Sequence, residues 1–385
     1  MSFFEGIQFY LLLMVLFIPA IVLGFKGKPL KAYRIIISIG VVGIIFWPHK
    51  SALLFLLLFY GFELLITQLY MRIREKEGDH RKPWVYRCFL VASILPLALS
   101  KMTELSGVFS LSVFQFIGIS YLTFRVAQIV IETYDGLIKE MKIADFTEFL
   151  MLFTTFSSGP IDRSRRFIEN SNRLYTKDEY GELLGVGLQK LLVGIIYKFI
   201  LATAFHKGVV FFVGAQSLME YIGYSYSYGF YLFFDFAGYS AMAIGASYIL
   251  GIKVPDNFNK PFISIDIKDF WNRWHMTLSF WFRDFLFSRF MMLSIKGKWF
   301  SSRLTGASIG FIVNMFIMGV WHGLGACYIL YGIYHGVLLA LTEVYQKKSK
   351  FYKAHKKQKW YRIISWFVTI NLVMFGFLLF SGELV

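Results

Sequence analysis

Two histidines in apolar surroundings are the strongest candidates for chemistry in this sequence. His322 lies in the stretch MGVWHGLG, between Gly319, Gly323 and Gly325. His275 follows two tryptophans in the stretch DFWNRWHM. An imidazole titrates near neutrality and can take a proton from an attacking hydroxyl. Because glycines let a ligand or a backbone approach closely, His322 is the better placed general base. A core histidine bonded to a carbonyl is the alternative interpretation.

A carboxylate in an apolar run is the third candidate. Asp235 lies in FFDFAGYS, and an ionisable group inside a membrane span is costly and often functional. Tyr231 and Tyr239, four residues away on either side, are predicted to donate hydrogen bonds to it. A structural hydrogen-bond hub is the alternative to a catalytic role. His206 and His335 are predicted to be structural or interfacial.

The composition is that of an integral membrane protein. Only 17% of the 385 residues are charged and 57% are hydrophobic, whereas soluble domains carry about 25% charged residues. Cys88 and Cys327 form no disulfide framework and no zinc spacing, and no metal site is expected. The net charge of +16 is explained first by basic cytoplasmic loops, with an acidic cytoplasmic partner as a second interpretation. Nucleic acid is not an expected partner.

The apolar runs predict an all-α, polytopic bundle that forms a single domain over residues 1–385. About eleven transmembrane helices are expected, together with interfacial or re-entrant helices, and the basic loops place the N-terminus outside. A short apolar segment at 144–156 is predicted to be re-entrant or interfacial, and 208–222 to be an outer element. The main predicted crossings are 8–24, 35–47, 52–71, 88–100, 113–133, 181–205, 226–250, 304–322, 327–345 and 363–380.

The stretch from Pro255 to Phe287 carries too many charges for a lipid-exposed span. Placed on a single helix, Trp271, Trp274 and Leu278 share one face, and His275 falls at its border. This pattern predicts an amphipathic helix at the membrane interface or tucked into protein, with one edge facing something polar.

Four motif blocks resemble those of the membrane-bound O-acyltransferases. They occur in the family's order as GPIDRSRRF (159–167), FFDFAGYSAMAIG (233–245), DFWNRWHMTLSFWFRDF (269–285) and MGVWHG (318–323). The residues of the first and third blocks and the modest chain length resemble those of the bacterial branch that transfers D-alanine onto lipoteichoic acid. The resemblance implies a multi-pass protein of the bacterial cell membrane, with an extracellular funnel and a cytoplasmic entrance.

The same resemblance implies the site. His322 matches the family's catalytic histidine, and His275 matches its second, upstream histidine. The expected supporting residues of the channel are Asp235, Asn272, Arg273, Trp274 and Trp321. No bound cofactor is expected, because the donor would be D-alanine on the phosphopantetheine arm of an acidic carrier protein in the cytoplasm.

The resemblance also implies partners. The acceptor would be a hydroxyl of lipoteichoic acid, and a small single-pass membrane protein would accompany the enzyme among the membrane lipids. A basic, methionine-bearing patch after the third block fits the acidic carrier. Its predicted contacts are Arg289, Met291, Met292, Lys298 and Arg303. Two alternatives are left open: O-acetylation of an extracellular polysaccharide, and transport of an activated acyl or amino-acid group.

Overall fold

The described part of the molecule is helical. The computed structural model describes residues 2–78, 80–106 and 116–384. Within these ranges the chain forms seventeen α-helices and no β-strand. Helices satisfy their own backbone hydrogen bonds, which is what long apolar segments require in a bilayer. The prediction of an all-α membrane protein is confirmed.

Eight helices in the described residues are long and apolar enough to cross a membrane. They are Gly6–Phe25, Lys50–Glu77, Pro83–Met102, Lys177–Phe212, Leu218–Ile249, Arg303–His322, Ala326–Lys348 and Lys359–Ser381. Two other predicted crossings form the helices Lys31–Phe46 and Ile119–Asp135, of 16 and 17 residues. Both are shorter than the roughly 20 residues of an upright span. The first residues of the predicted crossing 113–133 lie outside the described ranges, and the count of about eleven stays a prediction.

The chain folds into two compact units. The first unit combines Met1–Gly194 with Tyr239–Pro255. It contains the C-terminal part of helix α10 (Leu218–Ile249) and nearly all of the first eight helices. These are α1 (Gly6–Phe25), α2 (Lys31–Phe46), α3 (Lys50–Glu77), α4 (Pro83–Ser106), α5 (Ile119–Asp135), α6 (Ile143–Met151), α7 (Ser164–Ser171) and α8 (Lys177–Ile195).

A buried arginine holds several elements of the first unit together. The Arg34 guanidinium donates to Glu148 Oε1 at 2.5 Å, to the Leu250 carbonyl at 3.1 Å and to the Ser171 carbonyl at 2.8 Å. Its side chain is almost fully buried, so this charge needs a complete set of partners. The contacts tie α2 to α6, to the end of α7 and to the chain just after α10.

The first motif block is part of this buried framework. Arg125 donates to the carbonyls of Phe149 and Thr155 at 2.7 and 2.5 Å. Asp162 accepts from Arg166 Nε at 2.8 Å and from the Arg163 amide at 2.6 Å. The short helix α6, expected to be re-entrant or interfacial, is buried along most of its length within the first unit.

The second unit combines Ile195–Gly238 with Asp256–Val385. A π-helical turn at Ile196–Leu201 links α8 to α9 (Ala202–Phe212), and α10 begins at Leu218. The predicted outer element at 208–222 therefore consists of the end of one long helix and the start of the next. The remaining helices are α11 (Ile267–Trp271), α12 (Met276–Phe282), α13 (Ser288–Lys296), α14 (Arg303–His322), α15 (Ala326–Lys348), α16 (Lys350–His355) and α17 (Lys359–Ser381).

The prediction of one amphipathic helix across the stretch 255–287 is wrong. The chain is irregular up to a short 3₁₀ turn at Pro261–Ile263, forms α11, breaks, and resumes as α12. A π-helical turn at Arg283–Phe287 then leads into α13. The break falls at His275, whose backbone is left-handed. Side-chain periodicity does not report such a break, because buried aromatic residues on both sides of it satisfy the same apolar pattern.

Candidate functional site

His322 is the last residue of α14. Its half-buried imidazole lies among aromatic rings, with ring centroids 5.0 Å from Phe380, 4.5 Å from Trp321 and 6.4 Å from both Tyr328 and Tyr331. The chain then leaves the helix through Gly323–Gly325 and starts α15. The predicted base thus lies where a spanning helix ends, and the residue is partly exposed.

Close backbone packing of α14 against α15 holds this helix end in place. A Cβ on Gly319 would lie 2.4 Å from the Tyr328 carbonyl oxygen, and one on Gly332 would lie 2.5 Å from the Met315 carbonyl oxygen. A Cβ on Gly323 would meet the Tyr328 ring at 2.3 Å. These glycines let two spanning helices approach more closely than larger residues would. The glycines flanking His322 therefore serve helix packing.

His275 has an unusual backbone, fixed by Asn257. Its φ of 41° and ψ of 51° are left-handed, a conformation that costs a non-glycine residue roughly 1–2 kcal/mol. The Asn257 carbonyl accepts from the Met276 amide at 2.8 Å. Asn257 Oδ1 accepts from the Thr277 hydroxyl at 2.5 Å and lies 3.3 Å from His275 Nδ1. Because an amide oxygen only accepts, Nδ1 carries the proton and Nε2 of the neutral ring keeps its lone pair.

The surroundings of His275 keep it neutral. The side chain is buried, and its ring lies 4.6 Å from that of Phe236. Burial lowers the pKa of His275 to about 3, with the charge of His322 as the second cause. Both predicted histidines belong to the second unit. Trp274, the residue before His275, packs against Phe377, and His322 packs against Phe380 one turn later on α17.

A third histidine belongs to the same region, although its sequence context favoured only a structural or interfacial role. His335 on α15 is fully buried, and the Trp271 indole donates to its Nδ1 at 3.4 Å. Its ring lies 4.6 Å from that of Tyr331, which also neighbours His322. The spacing of thirteen residues between the two histidines carried no signal, because they lie on different helices.

The predicted supporting residues divide into separate roles. Trp274 is buried in an aromatic cluster, 4.8 Å from the ring of Phe377, so it acts in packing. Trp321 is next to His322 and half-buried. Arg273 donates to Asp269 Oδ1 at 2.7 Å and to the Asn259 carbonyl at 3.4 Å, which stabilises the turn before His275.

Asn272 lines a cavity of about 240 Å³ within the second unit. Trp271 forms part of the same wall and donates to His335 from there. Other polar groups around this cavity include Arg283, Ser279 and Asn314, which were not among the predicted site residues. The cavity combines aromatic walls with hydrogen-bonding groups, the usual composition of a small-molecule pocket.

Asp235 has a partner different from the predicted tyrosines. Lys198, on the π-helical turn, donates to Asp235 Oδ1 at 2.6 Å. The Tyr239 hydroxyl is bonded to Ser157 instead, at 2.6 Å. The sequence could not reveal this pair, because its members are 37 residues apart on two helices. Asp235 is thus one half of an ion pair within the second unit.

The predicted docking patch is an exposed surface on and after α13. Met292 is 58% exposed, whereas Met291 is half-buried, with its Cε 3.7 Å from the position of a Cβ on Gly306. Lys298 and Arg303 are exposed, and Arg289 is half-buried. Further exposed apolar residues on this surface are Leu293, Ile295 and Trp299, of which the sequence placed Trp299 in the patch.

Among the described residues, no group of three or more His, Cys, Asp or Glu side chains is arranged to hold a metal ion.

Comparison with known proteins connects these features to one family. A family model described as MBOAT, membrane-bound O-acyltransferase family, matches residues 83–382. The chain is 42% identical to a teichoic acid D-alanyltransferase of Bacillus subtilis (strain 168), over 100% of this chain and 98% of the relative. It is 38% identical to a protein of the same name from Streptococcus thermophilus, over 98% and 95%. A probable alginate O-acetylase of Pseudomonas syringae is 30% identical over 69% of this chain and 49% of the relative.

Proposed function

Because the chain belongs to the membrane-bound O-acyltransferase family and is an acyltransferase, we propose that it transfers D-alanine to hydroxyls of lipoteichoic acid. The observation that carries the proposal is the 42% identity, along the full chain, to a protein named teichoic acid D-alanyltransferase. The family resemblance of the four motif blocks is confirmed. Membership of a family of acyltransferases sets aside the transporter alternative.

In the proposed reaction His322 is the general base. An acceptor hydroxyl loses its proton to the imidazole as its oxygen attacks the carbonyl carbon of the D-alanyl thioester. The C–S bond breaks, the ester forms, and the proton passes from the imidazole to the leaving thiolate. Support comes from the position of His322 at a helix end, half-buried and surrounded by aromatic rings.

His275 would orient a substrate. Nδ1 is directed at Asn257, so the ring is held in one orientation. A ring fixed in this way can hold a polar group of the donor or the acceptor near His322. The pairing of His275 with Asn257 and the rigid left-handed turn support this positioning role.

The donor is proposed to be a D-alanyl thioester on the phosphopantetheine arm of an acidic carrier protein. The exposed patch on and after α13 offers apolar side chains, such as Met292, Leu293 and Trp299, beside Lys298 and Arg303. Such a surface complements an acidic partner with an apolar contact region. The cavity lined by Asn272 and Arg283 offers hydrogen-bonding groups to the polar arm.

The remaining elements of the proposal concern topology and partners. The protein is a multi-pass membrane protein, and we place its N-terminus outside, so that the basic loops face the cytoplasm. The acceptor would then reach His322 from the outer side and the carrier would dock from the inner side. A small single-pass membrane protein completes the proposed assembly.

The test is ester analysis of teichoic polymers in a deletion strain. Complementation with wild type should restore alkali-labile D-alanine, and His322→Ala should abolish it while the protein is inserted at wild-type abundance. His206→Ala is the matched control, since His206 is an exposed histidine on α9 that is not part of the candidate site. Wild-type ester levels with His322→Ala would overturn the role of His322. Absence of D-alanine esters in the complemented wild type would overturn the substrate.

O-acetylation of an extracellular polysaccharide is the second candidate. The observation that favours it is the 30% identity to the probable alginate O-acetylase, over 69% of this chain. This identity is lower than the 42% to the teichoic acid D-alanyltransferase, which covers the whole chain. The same alkaline hydrolysis of the polymers distinguishes the two functions. Release of acetate in place of D-alanine would support acetyl transfer.

A further inference from the structure

A large cavity of the second unit lies where α15, α16 and α17 meet. Its volume is about 790 Å³, within the range of ligand sites. Helix α15 ends at Lys348, and α17 begins at Lys359, so the cavity lies at the adjoining ends of two helices that can span the membrane. Neither His275 nor His322 lines it, and it has no part in the proposed transfer reaction.

One end of this cavity is basic. Lys356, Lys357 and Arg362 line it, and all three are exposed. They belong to a run from 347 to 362 that contains seven lysines, one arginine and no acidic residue. None of the three pairs with a carboxylate in the ranges that the structure describes. The cavity mouth therefore carries uncompensated positive charge.

The carboxylate that lines the cavity is already bonded. Asp266 Oδ1 accepts from the Asp269 amide at 2.9 Å, and Oδ2 accepts from the Gln346 side chain at 3.0 Å. The nearby Glu343 is paired with Lys268. Neither carboxylate is bonded to Lys356, Lys357 or Arg362, and Lys356 lies over the Tyr352 ring at 5.6 Å. The three basic side chains are thus available to an anion from outside.

The other wall of the cavity is apolar and follows a membrane-spanning helix. Ile364, Val368 and Leu372 line it at intervals of four residues, on one face of α17. Eight residues of helix correspond to about 12 Å along the axis. Tyr345, Tyr352 and Trp360 also line the cavity. Aromatic side chains of this kind are typical of the level of lipid headgroups.

We propose that this cavity binds an anionic membrane phospholipid, with its phosphate at Lys356, Lys357 and Arg362 and an acyl chain along α17. A basic cluster directly beside a spanning helix is the usual recognition element for anionic headgroups. A free phosphate would use the basic end and leave the apolar stripe without a role. An acidic protein would also have no use for a stripe that runs along the hydrophobic face of a spanning helix.

The test compares retained lipids by native mass spectrometry of the full-length protein released from detergent. Purified protein is incubated with equal amounts of phosphatidylglycerol and phosphatidylcholine that have the same acyl chains. The test variant is Lys356→Gln/Lys357→Gln/Arg362→Gln. The matched control, Lys347→Gln/Lys348→Gln/Lys350→Gln, removes the same charge from the same basic run but outside the cavity.

Wild type and the control should prefer phosphatidylglycerol, and the test variant should lose about fivefold in preference for each removed charge. Equal losses in both triple variants, or no preference in wild type, would overturn the site. If the triple variant does not fold, as judged by gel filtration, the single variants Lys357→Gln and Lys348→Gln carry the same comparison.

Two further arms separate the sources of the anion. Inorganic phosphate in excess should leave phosphatidylglycerol bound, and displacement by it would overturn the lipid assignment. Purified acidic carrier protein should bind the test variant as well as it binds wild type. Loss of carrier binding in the test variant alone would instead identify the cavity as a protein-docking site.

Discussion

Asn257 Oδ1 lies 3.3 Å from His275 Nδ1, across a turn in which His275 has a left-handed backbone. The same amide oxygen accepts from the Thr277 hydroxyl, so one side chain sets both the turn and the imidazole tautomer. Asn257 is buried and lies eighteen residues before His275. It therefore acts as a positioning residue for a histidine of the candidate site.

Replacement of Asn257 should reduce transfer activity more than it reduces folding. Asn257→Ala frees the His275 ring, and misplacement of a reacting group can lower activity by roughly a hundredfold. Asn257→Asp should also change the pH profile, because an adjacent carboxylate favours the imidazolium form. Ester formation in membranes measures both effects. Asn259→Ala, at an exposed neighbouring position, is the control, and equal losses in both alanine variants would contradict a specific role.

Burial of neutral His275 should make stability fall with acid. The folded pKa of about 3 lies below the ordinary value of 6.5, so the unfolded chain binds more protons between these limits. The contribution of neutral His275 to the free energy of unfolding is complete above pH 6.5. It declines as the pH falls, and about 2 kcal/mol of it is lost at pH 5. Thermal unfolding in detergent at pH 7 and pH 5 measures it. His275→Asn should show a smaller acid shift than wild type, and an identical shift would refute the assignment.

A methyl group added at Gly319, where α14 and α15 pack closely, should destabilise the protein. Gly319→Ala would place a Cβ 2.4 Å from a carbonyl oxygen, and such overpacking costs roughly 1–3 kcal/mol. His322 lies three residues later on the same helix, so ester formation should fall together with thermal stability. Gly325→Ala is the control, because the nearest atom to its Cβ is 3.6 Å away. Similar behaviour of the two variants would exclude close packing as the cause.

The Lys198–Asp235 pair should show coupling. Lys198 is mostly buried and Asp235 is more than a third exposed, so removal of either partner should cost roughly 1–2 kcal/mol, less than for a fully buried pair. The double variant Lys198→Met/Asp235→Leu should recover part of the loss, since no charge is then left unpaired. Thermal unfolding of the four proteins forms a double-mutant cycle. Strict additivity would show that the ion pair contributes no coupling.

Binding of the carrier to the docking patch should depend on the charge introduced at Met292, its more exposed methionine. Met292→Asp adds a negative charge to a surface proposed to bind an acidic carrier, and binding should weaken about tenfold or more. Met292→Lys is the matched control, because it loses the same apolar side chain and keeps the positive field. Surface plasmon resonance with purified carrier protein compares the two. Equal affinity of the two variants would move the carrier to another surface.

The sequence was sufficient for the properties that depend on local composition. Apolar runs identified most of the spanning helices, because the need to satisfy backbone groups in lipid forces such runs to become helical. The four motif blocks identified the family, since they carry residue types and spacings in a specific order. The start of α14 near Leu304 also followed from hydropathy alone, whereas the structure places His322 at the last residue of that helix.

Tertiary structure decided which residues meet. The break at His275 depends on Asn257, the partner of Asp235 is Lys198, and His335 is buried against Trp271. Each of these contacts joins residues on separate elements, at sequence separations that no helical or strand period predicts. Exposure at Met292 rather than Met291 was likewise set by the packing of α13 against α14. The sequence thus determined the helices and the family. Tertiary packing determined the hydrogen-bond and ion-pair partners, because a polar group that is removed from water must bond to whichever group packing places beside it.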